Sequence, residues 1–174
     1  DYDINDSNDV KKMYHYWNEY YSNCSAEQEI LKTTSYKLSG FSDELREKIM
    51  ETITQFCKDN AINNAQLSGI GAVMNIEIGA FDINSKQYIR KNFKDVWELV
   101  SYQGNVSLKD SEPFIHAHVT LGNHDLNMKG GHLFEATVAA VGEFILRKFD
   151  NKVYREFNDD VGLPTLCMEN KYLD

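Results

Sequence analysis

From Gln66 onward the sequence is a succession of short apolar or alternating runs, each bounded by glycine, asparagine or aspartate. Runs with these lengths and boundaries are typical of β-strands joined by turns. Because the connections are short, we expect neighbouring strands to pair antiparallel. The predicted strands are AQLSGIGAVMNIEIGAF, KQYIRKNF, DVWELVSYQGNVSL, EPFIHAHVTLG and NMKGGHLF. Most of the chain should therefore form one antiparallel sheet.

Helical periodicity is clearest in SDELREKIMETITQFCKDNAI, at residues 42–62. Ser42 is a suitable N-cap, and the acidic residues after it suit the positive end of the helix dipole. One apolar stripe should pack on the sheet, formed by Leu45, Ile49, Ile53, Phe56 and Cys57. EILKTTSYKLSGF is predicted to be a strand, and EATVAAVG a short helix before the apolar run EFILRKF. An α+β fold follows, with helices flanking the sheet.

The two ends of the chain differ from this central part. Residues 1–28 begin acidic and continue as VKKMYHYWNEYY, whose apolar and aromatic residues recur at helical spacing. This predicts an N-terminal helix packed on the domain or on a neighbouring subunit, or alternatively a helix that binds a partner protein. Residues 29–174 are then one domain, whose tail wraps the surface and has one apolar patch at 163–168.

Composition limits the classes of partner. The 174 residues carry a formal charge of −9, which should repel nucleic acid and anionic lipid unless a local basic patch exists. The three cysteines are widely spaced, which favours free thiols over a disulfide framework. No apolar run approaches the roughly 20 residues that span a bilayer. We therefore expect a cytoplasmic protein with no membrane association.

Alternation in PFIHAHVTLG places its side chains on two faces of a strand. One face is aliphatic, from Ile115 to Leu121, and belongs to the core. The other carries His116 and His118, about 7 Å apart at the backbone, so both imidazoles can reach one metal ion. These two histidines are predicted to form half of a metal site.

The third ligand is predicted to be His132, on the strand that folds back after the turn signal at Gly122–Asp125. A two-residue loop would pair His116 with Gly131 and leave His132 facing the core. A longer loop is therefore required, or a bulge at Gly130–Gly131.

Three neutral imidazoles leave a fourth position open for water or substrate, as in catalytic zinc sites. Glu135 and Glu77 could orient a ligand or act as a general base, or could be ordinary surface acids. The histidines could instead be satisfied polar residues in a cleft or subunit interface. His124 and His15 have no such company, and we interpret them as surface residues.

Five ordered blocks resemble the plant and prokaryote conserved (PPC) domain: SGIGAV at 68–73, the Tyr88 strand, WELVSYQGNVS at 97–107, PFIHAHVTLG at 113–122 and GGHLFEATVAA at 130–140. The resemblance covers about residues 29–168. It implies a curved antiparallel sheet of about seven strands, flanked by helices and assembled as a homotrimer. In bacterial and archaeal members the H-x-H and GGH histidines accompany a bound metal, which here implies a zinc-like ion on His116, His118 and His132.

Three hypotheses for function follow from the resemblance. The first is a trimeric assembly module that binds other proteins. The second is a zinc enzyme acting on a small oxygenated substrate, because the fold is similar to that of acetolactate decarboxylase, whose zinc is held by histidines. The third is direct DNA binding, as in plant members that carry AT-hook segments. This chain has no Arg-Gly-Arg core or basic arm to enter a minor groove, which argues against direct DNA binding. We favour the module over the enzyme because the surface is acidic and no convincing acid/base pair is found.

Overall fold

The computed structural model describes residues 28–34, 46–149 and 153–168. The predicted N-terminal helix and the predicted cap at Ser42 lie outside these ranges. Of the helices in the described ranges, none has the length and apolar character needed to cross a membrane.

The described residues form eight strands and one helix. The elements are β1 (Gln28–Thr34), α1 (Ile49–Asp59), β2 (Ala65–Asp82), β3 (Gln87–Phe93), β4 (Trp97–Lys109), β5 (Glu112–Gly122), β6 (Met128–Lys148), β7 (Val153–Asn158) and β8 (Leu163–Met168). All belong to the predicted α+β class. The described part of the C-terminal tail lies in strands β7 and β8, which pair with each other.

The sheet runs in the order β3-β2-β6-β5-β4-β7-β8, with β1 paired to β6. Strand β2 pairs with both β6 and β4, so β2, β6, β5 and β4 form a closed ring of pairings and the sheet must curve. Every pairing is antiparallel except that of β7 with β4, which is parallel at Leu108 and Tyr154. The predicted curved, antiparallel sheet is thus confirmed for all but this edge.

Helix α1 packs on one face of the sheet. It buries Ile49, Ile53 and Cys57, three residues of the predicted apolar stripe, against a core that includes the T-shaped ring pair Tyr102 and Phe144. Residues 46–48, which the periodicity places in the helix, precede it, because Lys48 is still extended and bridges Thr137 of β6. Tertiary pairing therefore delays the helix beyond its sequence signal.

The short helix predicted for EATVAAVG is wrong, because this segment lies within the continuous strand β6. Its backbone pairs with β2, for example Thr137 with Met74, and Val138 N–H donates to the carbonyl of Glu47 at 2.9 Å. Small residues suit a helix, but here partners on both sides satisfy an extended backbone. Burial of Ala136 and Val138 also favours the strand.

A close approach between β2 and β6 sets the position of β6, the strand that carries His132. Gly79 of β2 pairs with His132, next to Gly131. A Cβ on Gly131 would lie 2.7 Å from the carbonyl oxygen of Gly79, closer than packed atoms tolerate. The absence of a side chain at Gly131 therefore lets β6 reach the position that His132 needs.

Gly131→Ala should destabilise the protein by about 1–3 kcal/mol, because the added methyl group forces β2 and β6 apart. Gly122→Ala is the matched control, since its Cβ would meet Met128 and Val100 side chains at 3.4 and 3.5 Å, an ordinary contact distance. Urea unfolding of both variants measures the difference. Equal midpoints for the two would show that the close approach carries no constraint.

Candidate metal centre

Three imidazoles converge on one face of the sheet. His116 and His118 come from β5, and His132 of β6 lies directly opposite His118 in the strand pairing. One ring nitrogen from each histidine can be chosen so that all three lie within 4.8 Å of one another. The ring centroids are 5.2 Å apart for His116–His118, 5.0 Å for His116–His132 and 5.6 Å for His118–His132. The structure thus brings the three predicted ligands together.

The register that aligns them is set by the turn between β5 and β6. Gly122 pairs with Met128, which leaves residues 123–127 as the loop. The Asn123 side chain accepts hydrogen bonds from the backbone of Asp125 (3.1 Å) and Asn127 (2.8 Å) and so stabilises this turn. The longer loop required by the sequence argument is confirmed. The alternative bulge at Gly130–Gly131 is absent, because the β5–β6 pairing runs unbroken through these residues.

The two faces of β5 have different environments. Ile115, Ala117, Val119 and Leu121 are buried in the core, as the alternation predicts. On the other face His116 and His132 are half-buried, whereas His118 is exposed. The triad is consequently open to solvent on one side. Aromatic rings of Tyr88 and Phe134 lie 4.9 and 4.8 Å from the His132 ring and hold it in place.

An unpartnered nitrogen shows that the site fits a metal. Nδ1 of His132 is buried and has no hydrogen-bond partner in the part of the chain that the structure describes. A buried polar atom without a partner is costly, and native proteins rarely leave one unexplained. Coordination of an ion between three imidazoles would satisfy the triad's nitrogens, and three nitrogen ligands suit zinc or a similar divalent transition metal.

The charge state of the triad also favours metal binding. Burial, followed by the charges of Arg155 and His118, lowers the pKa of His116 to about 4. Burial, followed by the charges of His116, His118, Arg90 and Arg155, lowers the pKa of His132 to about 4. Both rings are therefore neutral at pH 7, the form that can donate a nitrogen lone pair to an ion.

Arg155 is a site residue that the sequence analysis missed. Its Nη2 lies 3.4 Å from Nδ1 of His116 and donates to Oδ1 of Asn105 at 2.9 Å. Its Nε donates to Ser107 Oγ at 2.9 Å, and its Nη1 to the carbonyl of Pro164 at 3.0 Å. No signal in the sequence could have found it, because its place near His116 depends on the pairing of β7 with β4, which no local pattern predicts.

The two carboxylates predicted as ligand-orienting or basic groups make other contacts. Glu135 accepts hydrogen bonds from the backbone N–H groups of Met50 (2.8 Å) and Glu51 (3.3 Å), and so caps the start of α1. Glu77 forms an ion pair with Arg90 at 3.2 Å. Neither belongs to the group of converging ligand atoms. His124 is exposed in the turn, as expected, and His15 lies outside the described residues.

The chain matches the Plants and Prokaryotes Conserved (PCC) domain family over residues 44–150, more than half of its length. It therefore belongs to this plant- and prokaryote-conserved family, as the resemblance predicted. A comparison with curated proteins finds no match.

Solved structures share the fold. A plant- and prokaryote-conserved (PPC) protein of Pyrococcus horikoshii is 35% identical, with 84% of this chain and 94% of that chain covered and a TM-score of 0.70. A metal-containing protein of Archaeoglobus fulgidus is 33% identical over 81% of this chain and 93% of that one, with a TM-score of 0.70. A protein of Bacteroides thetaiotaomicron named as a candidate DNA-binding protein is 26% identical over 80% and 91%, with a TM-score of 0.72.

The metal-free protein should lose stability as the pH falls from about 6.5 to about 4. The folded pKa of His116 and of His132, about 4, lies below the ordinary value of 6.5. As the pH falls, the unfolded chain therefore binds these protons at a higher pH than the folded protein does. The stability that the two neutral histidines contribute is fully present only above pH 6.5. Denaturant unfolding against pH, compared with a double variant His116→Gln/His132→Gln, checks this. An equally steep decline in both proteins would contradict it.

Proposed function

We propose that this protein is a metal-binding PPC-domain module that holds a zinc-like divalent ion through His116, His118 and His132 and assembles as a homotrimer that binds other proteins. The main support for the metal site is that one nitrogen from each of the three imidazoles lies within 4.8 Å of the other two. The buried, unpartnered Nδ1 of His132 supports it. The relative of Archaeoglobus fulgidus, described as metal-containing, supports it independently.

Self-association is supported by exposed apolar side chains on the sheet. Ile70 of β2 and Val100 of β4 are 54% and 49% exposed, and both lie in the irregular part of the β2–β4 pairing. Met128, at the start of β6, is 52% exposed. Exposed apolar residues close together are typical of surfaces that associate with another chain. A homotrimer, as the family resemblance implies, would cover part of this surface.

Protein partners fit this chain better than DNA. Relatives of Bacteroides and Ralstonia are named as candidate DNA-binding proteins. Here, however, 27 acidic residues exceed 18 basic ones, and phosphate contacts need clustered cations. Near the triad Arg90 pairs with Glu77, and Arg155 as a single cation does not form the cluster that phosphate contacts need. We therefore assign the module to protein rather than nucleic-acid recognition.

A zinc-dependent enzyme acting on a small oxygenated substrate is the second candidate function. Exposure of His118 favours it, because a small molecule could reach the triad from solvent. A bound zinc-like ion would polarise an oxygen of such a substrate. Glu77 is the better placed of the two predicted bases for proton transfer, since its contact with Arg90 is exposed, whereas Glu135 is committed to the helix start.

Metal analysis of protein purified without added metal tests the proposal. We expect about one zinc-like ion per chain in the wild type, because the three ligands share one site. His118→Ala should lose most of this metal, and His124→Ala, which changes an exposed histidine of the turn, should retain it. Full metal content in His118→Ala would overturn the triad as the binding site.

Light scattering on the same samples tests assembly. A homotrimer has three times the 20.1 kDa mass of the chain. A monomeric wild type would overturn the assembly part of the proposal. If His118→Ala loses metal but remains a trimer, the ion does not hold the subunits together, and the enzyme becomes the stronger candidate.

A further inference from the structure

Arg155 is a half-buried cation with no anionic partner among the described residues. Its hydrogen bonds go to Ser107, the carbonyl of Pro164 and Asn105, all of which are neutral. Removing a cation from water without a counter-charge costs free energy, and buried charges in proteins are usually paired. No described carboxylate therefore balances the positive charge of the guanidinium beside His116.

Its neighbours fix the guanidinium in one orientation. Asn105 lies opposite His116 in the β4–β5 pairing, and Ser107 lies opposite Phe114. Arg155 donates to both from β7, and Pro164 of β8 holds the other end of the fork. Three strands thus aim the group at the His116 edge of the triad. A guanidinium carries five N–H groups, so these three acceptors leave one on Nη1 and one on Nη2, and Nη2 also lies 3.4 Å from Nδ1 of His116.

Arg90 provides the contrast. It also flanks the triad, with its guanidinium carbon 3.6 Å from the centre of the Phe134 ring, and Phe134 contacts His132. Unlike Arg155, it has a carboxylate partner, because Glu77 lies 3.2 Å away. Within the described ranges, a carboxylate therefore balances the arginine on the β3 side of the triad, and none balances the arginine on the β7 side. An anion from outside the chain would supply it.

We infer that Arg155 is the anion-binding group of the triad, and that the site takes a small carboxylate, which contacts the guanidinium from the solvent-open side of the histidines. A planar guanidinium matches the two oxygens of a carboxylate, and such charge-assisted contacts are stronger than neutral ones. The inference rests on the proposed metal site, because the same carboxylate would occupy the coordination position that three histidines leave free.

Cobalt(II)-loaded protein provides a binding measurement that does not depend on catalysis, because visible absorption of the ion reports a change among its ligands. The probes are acetate, its neutral analogue acetamide, and inorganic phosphate. We expect acetate to change the spectrum saturably and acetamide to leave it unchanged. In Arg155→Gln the cobalt content should be unchanged, and acetate affinity should fall by about 10- to 100-fold, the range for loss of a charge-assisted hydrogen bond.

Two further variants complete the design. Arg147→Gln, which changes an exposed arginine at the far end of β6, should bind acetate as the wild type does. Arg155→Lys keeps the charge and loses the fork, so its acetate affinity should fall between those of the wild type and Arg155→Gln. If Arg155→Gln does not fold, Arg155→Lys decides alone, and unchanged acetate affinity in it would overturn the inference.

The possible failures are distinguishable. A wild type that takes up no cobalt overturns the metal site, and the inference with it. Cobalt uptake with no response to acetate overturns the inference and leaves the metal site standing. A response to phosphate alone overturns the carboxylate class. An Arg155→Gln variant with wild-type acetate affinity shows that the guanidinium does not bind the anion.

Discussion

The register of β5 against β6 is the constraint on which the candidate site depends. Side chains alternate along a strand, so a shift of one residue would turn His132 into the core and away from His116 and His118. The loop at residues 123–127, held by the Asn123 side chain, places His132 opposite His118. At the same time the buried residues of β5 engage the core, so the register is fixed by packing as well as by the turn.

A second constraint acts from the other side of β6. Gly79 and Gly131 allow β2 and β6 to approach closely, and Tyr88 and Phe134 then contact the His132 ring. Glu135, three residues further along β6, instead caps helix α1. Strand β6 therefore contributes a candidate metal ligand and a helix cap that lie only three residues apart. Substitutions at either position should be separable, because metal content reports one and unfolding stability the other.

The sequence predicted the elements whose signals are local. Alternation identified β5 and its two histidines, and helical spacing identified the buried stripe of α1. Where backbone pairing overrides local preference the prediction failed, as in EATVAAVG, whose small residues join β6 because β2 and the segment before α1 supply hydrogen-bond partners. Arg155 could not be predicted, because its place beside His116 depends on β7 lying next to β4 and on neutral acceptors from β4 and β8.

The charges near the triad favour a ligand-binding site over histidines with only a packing role. Two neutral imidazoles lie together with Nδ1 of His132 and with Arg155 on the open face of an otherwise acidic protein. Among the described residues, that nitrogen has no hydrogen-bond partner and that arginine has no anionic one. The most direct test is X-ray data collected at a zinc absorption edge from crystals of protein purified without added metal. The account predicts an anomalous peak about 2.0–2.1 Å from one nitrogen of each of the three histidines. Well-ordered imidazoles with no peak between them, or rings that point apart, would contradict it.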